Sequence, residues 1–319
     1  MKTISTAEVL FATPRRLPKV GEARGRVVVV DVAFASEASG GGFEKITRPF
    51  IDELGPRLAA WVDHHDHVLH AEYANDPRFV LSTKAEHGAC PELIDEALVE
   101  RIGPVDTIVC HTDFDGIASA AKWLRGGLEP YPGCDDDARA IDTRIGTPSA
   151  RAQRFDGAIR ARGRDHGLLT VILRHLTQGL TDETLWAPID AAASEFDAQR
   201  AEARKIAAGY KRIDLAKGWR PTPAHKPVHD LAYLLVPEKH GRYDKTELLL
   251  LGQQRAPIAV LVDGDTATFA ASFESGIDFL ARFKLSGGMP TLVSMPAKRL
   301  AECLRALGVG EDDIALRVP

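Results

Sequence analysis

Apolar residues in the first half of the chain form short runs that alternate with segments of helical spacing. Strands are predicted at residues 27–30, 59–62 and 105–110, and helices at 43–58, 92–102, 116–124, 149–162 and 168–176. Four valines in succession at 27–30 are typical of a strand buried on both faces of a parallel sheet. Strands that alternate with helices predict a parallel α/β domain.

The second half of the chain begins with a long charged helix at 191–208 and then changes its pattern. Strands are predicted at 231–236, 248–251, 258–262 and 267–272, and helices at 277–283 and 297–307. A chain of 319 residues is long enough for two domains. We therefore predict a parallel α/β domain at 1–180, a helical linker at 181–212 and a smaller α/β domain at 213–319.

Polar side chains follow each of the three apolar runs of the first half. They are Asp31 after the first run, Asp63, His64 and His65 after the second, and His111, Asp113 and Asp115 after the third. Ligands of parallel α/β sheets gather at the carboxyl ends of the strands, so these residues are predicted to share one edge. Histidine and aspartate are ligands suited to a divalent metal such as manganese.

Each of these clusters has a plainer interpretation when it is taken alone. The Asp63-His64-His65 run suits a polar turn, and Asp113 or Asp115 suits the cap of a helix. Asp31 suits a residue that ends a strand and enters a turn. Their joint occurrence at three strand ends favours a common site over three separate turns.

Composition and charge narrow the class of protein. The chain is 45% hydrophobic and 27% charged, as soluble globular proteins are. Forty basic and 45 acidic residues give a net charge of −5, which disfavours long duplex nucleic acid but leaves short oligonucleotides and nucleotides open. Four cysteines without CxxC spacing indicate reduced thiols. With neither a signal peptide nor a membrane-length apolar run, the sequence predicts a cytoplasmic protein that does not enter a membrane.

Several segments resemble the DHH phosphoesterase superfamily. VDHH at 62–65 and HTDFDGIASA at 111–120 resemble its two metal-binding motifs. VVVVD at 27–31 resembles the strand that carries the bridging aspartate, and the segment from 141 resembles the stretch with a further acid, here Asp142. Residues 267–290 resemble the DHH-associated C-terminal domain with its glycine-rich substrate loop.

The resemblance implies manganese-dependent hydrolysis of phosphoester bonds in short oligonucleotides or nucleotides. Two Mn²⁺ ions are expected, with Mg²⁺ or Co²⁺ as alternatives. By the resemblance, one ion is held by His111 and Asp113, the other by His64, Asp115 and Asp142, with Asp31 between them. His65 would contact the phosphate or the attacking water, and Asp63 would orient a histidine. Gly287, Gly288 and Arg282 are the predicted substrate-binding residues.

The chain departs from the family pattern in three ways. The DxD motif (Asp113 and Asp115) follows the DHH motif here, whereas it usually precedes it. A permuted strand order can still rebuild one site if each crossover keeps its right-handed turn. The substrate loop has Met289 where a histidine is usual, and Glu274 stands where an arginine is usual. These two changes put nucleic-acid substrates in doubt.

Three other functions remain open from the sequence. The first is hydrolysis of a phosphoanhydride such as pyrophosphate, and the second is a catalytically inactive nucleotide-binding protein of the same fold. The third is a zinc hydrolase of carbon–nitrogen bonds, which also uses histidine and aspartate ligands. A homodimer is also left open.

Overall fold

The computed structural model describes residues 7–35, 42–285 and 290–317. The chain divides into two compact units, Met1–Phe196 and Asp197–Pro319, which are described separately below. The division falls inside a 22-residue helix, within the segment predicted as a linker. The assignment of 181–212 as a linker stays a prediction.

The first unit is built on a five-stranded sheet. Its strands are β1 (Glu8–Ala12), β2 (Val27–Val30), β3 (Leu58–Asp63), β4 (Phe79–Leu81) and β5 (Thr107–His111). Their spatial order is β1-β5-β2-β3-β4, and every neighbouring pair is parallel. The predicted α/β class with a parallel sheet is confirmed.

The β2 valines supply both faces of this sheet. Val28 and Val30 belong to one hydrophobic core, and Val27 and Val29 belong to another on the opposite face. All four side chains are fully buried. This follows from the two-residue period of a strand, which sends successive side chains to opposite faces. The predicted two-sided burial of β2 is confirmed.

Eight helices of the described residues begin in the first unit. They are α1 (Thr47–Leu54), α2 (His70–Tyr73), α3 (Glu96–Ile102), α4 (Phe114–Leu124), α5 (Cys134–Thr143), α6 (Ala150–Arg162), α7 (His166–Thr177) and α8 (Trp186–Ala207). Every residue of α4 is buried, which its many small residues allow. Ser149 caps α6, and Pro188 lies in the first turn of α8, where a missing N–H costs nothing.

The second unit contains a mixed five-stranded sheet. Its strands are β6 (Lys211–Trp219), β7 (Val228–Leu235), β8 (Ile258–Asp263), β9 (Thr266–Ala271) and β10 (Leu292–Pro296), in the order β10-β9-β8-β7-β6. Its helices are α9 (Lys245–Gln253), α10 (Phe279–Phe283), α11 (Leu300–Leu307) and α12 (Glu311–Ala315). Only β7 and β8 pair in parallel.

Two sequence predictions about elements are wrong, and four strands were not predicted. Residues 248–251 are not a strand but the middle of α9, since four leucines in a row suit a buried strand and a buried helix equally. The helix predicted from 92 begins only at Glu96, where Asp95 caps it. Strands β1, β4, β6 and β10 were not predicted: β1 and β6 carry charged residues, and β4 and β10 are short. In the described part of the chain, every helix is too short or too polar to cross a membrane.

Candidate metal centre

The carboxyl ends of three adjacent strands bring together the predicted ligands of the first unit. In the order β5-β2-β3, the chain leaves β2 toward β3 on one side and later returns to β5 on the other. Such a reversal of direction opens a crevice at the carboxyl edge of a parallel sheet. Neighbouring strands are about 4.8 Å apart, so side chains at these ends are within reach of one another.

Asp31 lies at the centre of this edge. It is fully buried directly after β2, and its backbone has a left-handed φ of 59°. Aspartate tolerates this conformation better than most residues, and the turn directs the carboxylate along the sheet edge. Its Oδ1 is 3.3 Å from His64 Nε2, and its Oδ2 is 3.6 Å from His111 Nδ1. The two oxygens of Asp31 thus face different histidines.

His64 is oriented by the backbone of a neighbouring loop. Its Nδ1 is 3.0 Å from the carbonyl oxygen of His87, to which an Nδ1–H group donates. The lone pair of the neutral ring is then on Nε2, which faces the carboxylates of Asp31 and Asp115, each at 3.3 Å. The hydrogen bond to the His87 carbonyl fixes both the tautomer and the orientation of the His64 ring, as such a bond does for metal-binding histidines.

Asp113 uses its two oxygens for different purposes. Its Oδ1 accepts a hydrogen bond of 3.2 Å from the Gly116 N–H and caps α4. Its Oδ2 lies 2.6 Å from His111 Nδ1. The helix-cap interpretation and the ligand interpretation are therefore compatible. Asp115, in the first turn of α4, is almost fully buried.

Gly116 sets the distance between α4 and β5. A Cβ atom at this position would lie 2.7 Å from the His111 carbonyl oxygen and 2.8 Å from the His111 Cβ. Both atoms belong to His111 on β5 and cannot move away without a shift of the strand. The absence of a side chain at Gly116 thus lets the DxD turn pack directly against His111.

Replacement of Gly116 by alanine is expected to destabilise the protein and weaken metal binding. Overpacking costs about 1–3 kcal/mol, whereas the better helix propensity of alanine offsets at most about 1 kcal/mol. Urea unfolding and Mn²⁺ titration of Gly116→Ala test this. Gly21→Ala is the matched control, because a Cβ there has no neighbour within 4 Å. Equal behaviour of the two variants would contradict the packing argument.

Asp142 reaches the same site from a helix. It lies in the last turn of α5. Its Oδ2 is 3.9 Å from His64 Nε2 and 2.6 Å from the ammonium of Lys84. The site therefore includes one cation that the sequence interpretation did not select.

His65 and Asp63 form a pair beside these residues. His65 Nδ1 is 2.8 Å from Asp63 Oδ1, and the His65 ring is about one-quarter exposed while Asp63 is fully buried. Burial lowers the pKa of His65, but the hydrogen bond and charge of Asp63 outweigh it, so the pKa is raised. A ring held in this way presents its Nε2 away from Asp63.

The cluster is electrostatically unbalanced as it stands. Burial opposes the charged forms of His64 and His111, yet the adjoining carboxylates prevail and raise the pKa of each to about 11. Burial, together with the charges of Asp31 and Asp113, raises the pKa of Asp115 well above its ordinary value. Burial acts likewise on Asp113, but the charge of His111 outweighs it and lowers that pKa. The metal-free site thus needs protons to offset its carboxylates.

The donor atoms fit divalent cations. Four of them are buried without a hydrogen-bond partner in the described structure: Asp31 Oδ1 and Oδ2, His64 Nε2 and His111 Nδ1. Buried polar atoms are normally paired, so four together indicate a missing charge. Three sets place their ligand atoms within 4.8 Å of one another: Asp31, His64 and His65; Asp31, His111 and Asp113; and His64, Asp115 and Asp142. Atoms about 2 Å from one ion lie at such separations.

The predicted substrate-binding residues belong to the second unit. Gly287, Gly288 and Met289 lie outside the described residues. The guanidinium of Arg282 stacks over the Trp219 ring at 3.9 Å, and its Nε–H donates to the Ala306 carbonyl. These contacts pack α10 within its own unit. A substrate role for Arg282 stays a prediction.

Lys84 and the His87 carbonyl are the parts of the site that the sequence interpretation missed. Lys84 follows β4, a three-residue strand that the apolar pattern did not reveal. Had β4 been recognised, the rule that placed Asp31 and His111 would also have selected the residues after Leu81. The carbonyl of His87 carries no sequence signal, because every residue has one.

The fold and the geometry define an α/β protein with a histidine–aspartate cluster at the carboxyl edge of a parallel sheet. No protein-family model matches the chain, and no curated protein matches it. Among solved structures, the crystal structure of exonuclease RecJ bound to manganese is similar, with a TM-score of 0.43 and 15% sequence identity. The similarity covers 92% of this chain and 76% of that one.

Proposed function

We propose that this protein is a manganese-dependent hydrolase of the DHH phosphoesterase type, acting on short oligonucleotides or nucleotides. The observation that carries the proposal is the position of Asp31. Its two buried oxygens accept no hydrogen bond and face two different sets of ligands, one with His111 and Asp113 and one with His64. A carboxylate between two ligand sets is what a pair of cations requires.

Five further side chains complete the two sets in this proposal. His111 and Asp113 hold one cation with Asp31, and His64, Asp115 and Asp142 hold the other. When bound, the cations supply positive charge to phosphoryl oxygens and lower the pKa of a water molecule. The mixture of carboxylate and imidazole donors suits manganese, which accepts both.

His65 and Asp63 act on the substrate in this proposal. Asp63 accepts the Nδ1–H of His65 and so leaves Nε2 as the ring atom that meets the substrate. The raised pKa of His65 favours the protonated ring. His65 Nε2 then donates a hydrogen bond to a phosphoryl oxygen, where negative charge grows as the phosphorus–oxygen bond breaks.

Phosphate release from a panel of substrates tests the proposal. The purified protein with Mn²⁺ is assayed on di- to pentanucleotides, bis-p-nitrophenyl phosphate and pyrophosphate, beside Asp113→Asn. We expect hydrolysis of a phosphoester that Asp113→Asn loses and the exposed Asp52→Asn control retains. Hydrolysis of pyrophosphate alone would assign the phosphoanhydride activity instead. No release from any substrate, with nucleotide binding intact, would identify an inactive binding protein.

Metal binding is expected to release protons. Because the pKa of His64 and of His111 is raised to about 11, both rings are positively charged in the metal-free protein at pH 8. A metal ion binds only the neutral ring, so each charged ring must release one proton. Mn²⁺ affinity should therefore rise with pH from 6 to 8. Calorimetric titration at pH 8 in buffers of different ionisation enthalpy measures the protons, and the same enthalpy in all buffers would contradict the prediction.

A further inference from the structure

Lys84 places a fixed positive charge against one of the two ligand sets. Its Nζ is 2.6 Å from Asp142 Oδ2, in the set that also contains His64 and Asp115. Lys84 is 39% exposed and Asp142 is 18% exposed, so the pair lies between the buried ligands and solvent. A cation that enters this set from solvent meets the ammonium at the same carboxylate.

The other set has no such neighbour among its ion-pair partners. In the described ranges, Asp31 and Asp113 pair with histidines: Asp31 with His64, His65 and His111, and Asp113 with His111. The lysine ammonium keeps its charge near neutral pH and has no lone pair to offer a metal ion. The two sets therefore differ in how much positive charge a divalent ion must overcome.

If the number of carboxylates alone decided affinity, the set with His64 would bind a cation more tightly than the set with His111. The set with His111 draws on Asp31 and Asp113, and the set with His64 draws on Asp115 and Asp142 and shares Asp31. More anionic charge attracts a divalent cation more strongly. Lys84 cancels this advantage, because its ammonium contacts the same Asp142 oxygen that faces His64.

We propose that Lys84 is a built-in competitor of the cation held by His64, Asp115 and Asp142. The two positions then load in sequence, the Asp31–His111–Asp113 position first and the Lys84-guarded position only at higher metal concentration. The inference rests on the two-cation site proposed above. Binding of the second ion then depends on the concentration of free divalent metal, and so does any reaction that needs both ions.

Mn²⁺ titration of the intact protein tests the proposal, with bound ion counted by calorimetry and by the electron paramagnetic resonance of free Mn²⁺. The wild type should show one tight and one weak ion. Lys84→Met should bind the weak ion at least about tenfold more tightly and change the affinity for the tight ion much less, because Lys84 contacts Asp142 directly and acts on the shared Asp31 only through its charge. Lys84→Arg, which keeps the charge, should behave as the wild type. Asp142→Asn should abolish the weak ion alone and so assign it.

Lys19→Met controls for the change in net charge, because Lys19 is exposed in the same unit and outside the site. It should leave both affinities unchanged. Unchanged or weaker binding of the second ion in Lys84→Met would overturn the proposal, as would a wild type with two equal sites or fewer than two. Hydrolysis by the same samples is read separately. Tighter binding in Lys84→Met without any hydrolysis would support the role of Lys84 and reject the hydrolase.

Discussion

Asp31→Asn is expected to reduce phosphoester hydrolysis about a thousandfold or more. The substitution keeps the shape of the side chain but replaces one of its two anionic oxygens with an amide NH₂, which cannot bind a cation. Both ligand sets lose their shared carboxylate, because Oδ1 faces His64 and Oδ2 faces His111. A loss of several kcal/mol of charge stabilisation corresponds to at least three powers of ten in rate.

The same variant should lose the stabilisation that Mn²⁺ gives to the fold. A ligand that binds only the native state stabilises it by RT ln(1 + [L]/Kd), so tighter binding at a given concentration raises the melting temperature further. Thermal unfolding with and without Mn²⁺ measures this shift beside kcat. Asp52→Asn, at an exposed position of α1, is the matched control and should keep both. A full Mn²⁺ shift in Asp31→Asn would contradict its role between the two cations.

His65→Ala should lower kcat on the order of a hundredfold or more while Mn²⁺ affinity changes less than about threefold. Its ring is held by Asp63 and partly open to solvent, as a group that meets the substrate must be. Loss of a positioned proton donor costs about 10²–10⁴ in rate. Rate measurements at saturating Mn²⁺, together with a Mn²⁺ titration, separate the two effects.

His67→Ala is the comparison for this variant. The His67 ring packs against Phe34 and Phe43, with centroids 5.6 and 6.0 Å away. Its removal should lower the free energy of unfolding without a comparable fall in kcat. If His65→Ala instead lost Mn²⁺ binding as Asp31→Asn does, His65 would be a ligand, in the set that it forms with Asp31 and His64.

The sequence predicts those site residues that follow strands with a recognisable apolar run. Runs such as VVVV and the segment before Asp63 are long and apolar enough to be recognised, and a parallel sheet brings their carboxyl ends to one edge. Asp31, His64 and His111 follow from this rule alone. Their convergence depends on the direction and burial of the strands, and the hydrophobic pattern along the chain indicates both.

The remaining parts of the site depend on long-range packing. Asp142 lies on α5, whose position is fixed in part by the buried ammonium of Lys122, which donates to the Pro91 carbonyl and pairs with Asp135. A contact of this kind has no sequence periodicity, so the hydrophobic pattern could not predict the place of α5. The approach of Asp142 to His64 was expected only from the resemblance to the DHH superfamily.

Backbone conformation is the other part that the sequence did not reveal. The left-handed φ of Asp31 determines where its two oxygens point, and an aspartate after a strand gives no sign of it. The same limit explains the error at 248–251, where an apolar run fits both a strand and the helix α9. Hydrophobic pattern reports which residues are buried more reliably than it reports how the backbone turns.

A crystal structure of the Mn²⁺-soaked protein, with anomalous difference maps recorded at the manganese edge, tests the two-cation site most directly. We predict two peaks roughly 3.5–4 Å apart on either side of Asp31. One peak is expected beside His111 and Asp113, and the other beside His64, Asp115 and Asp142. A map without peaks at this sheet edge, or with both away from Asp31, would contradict the account.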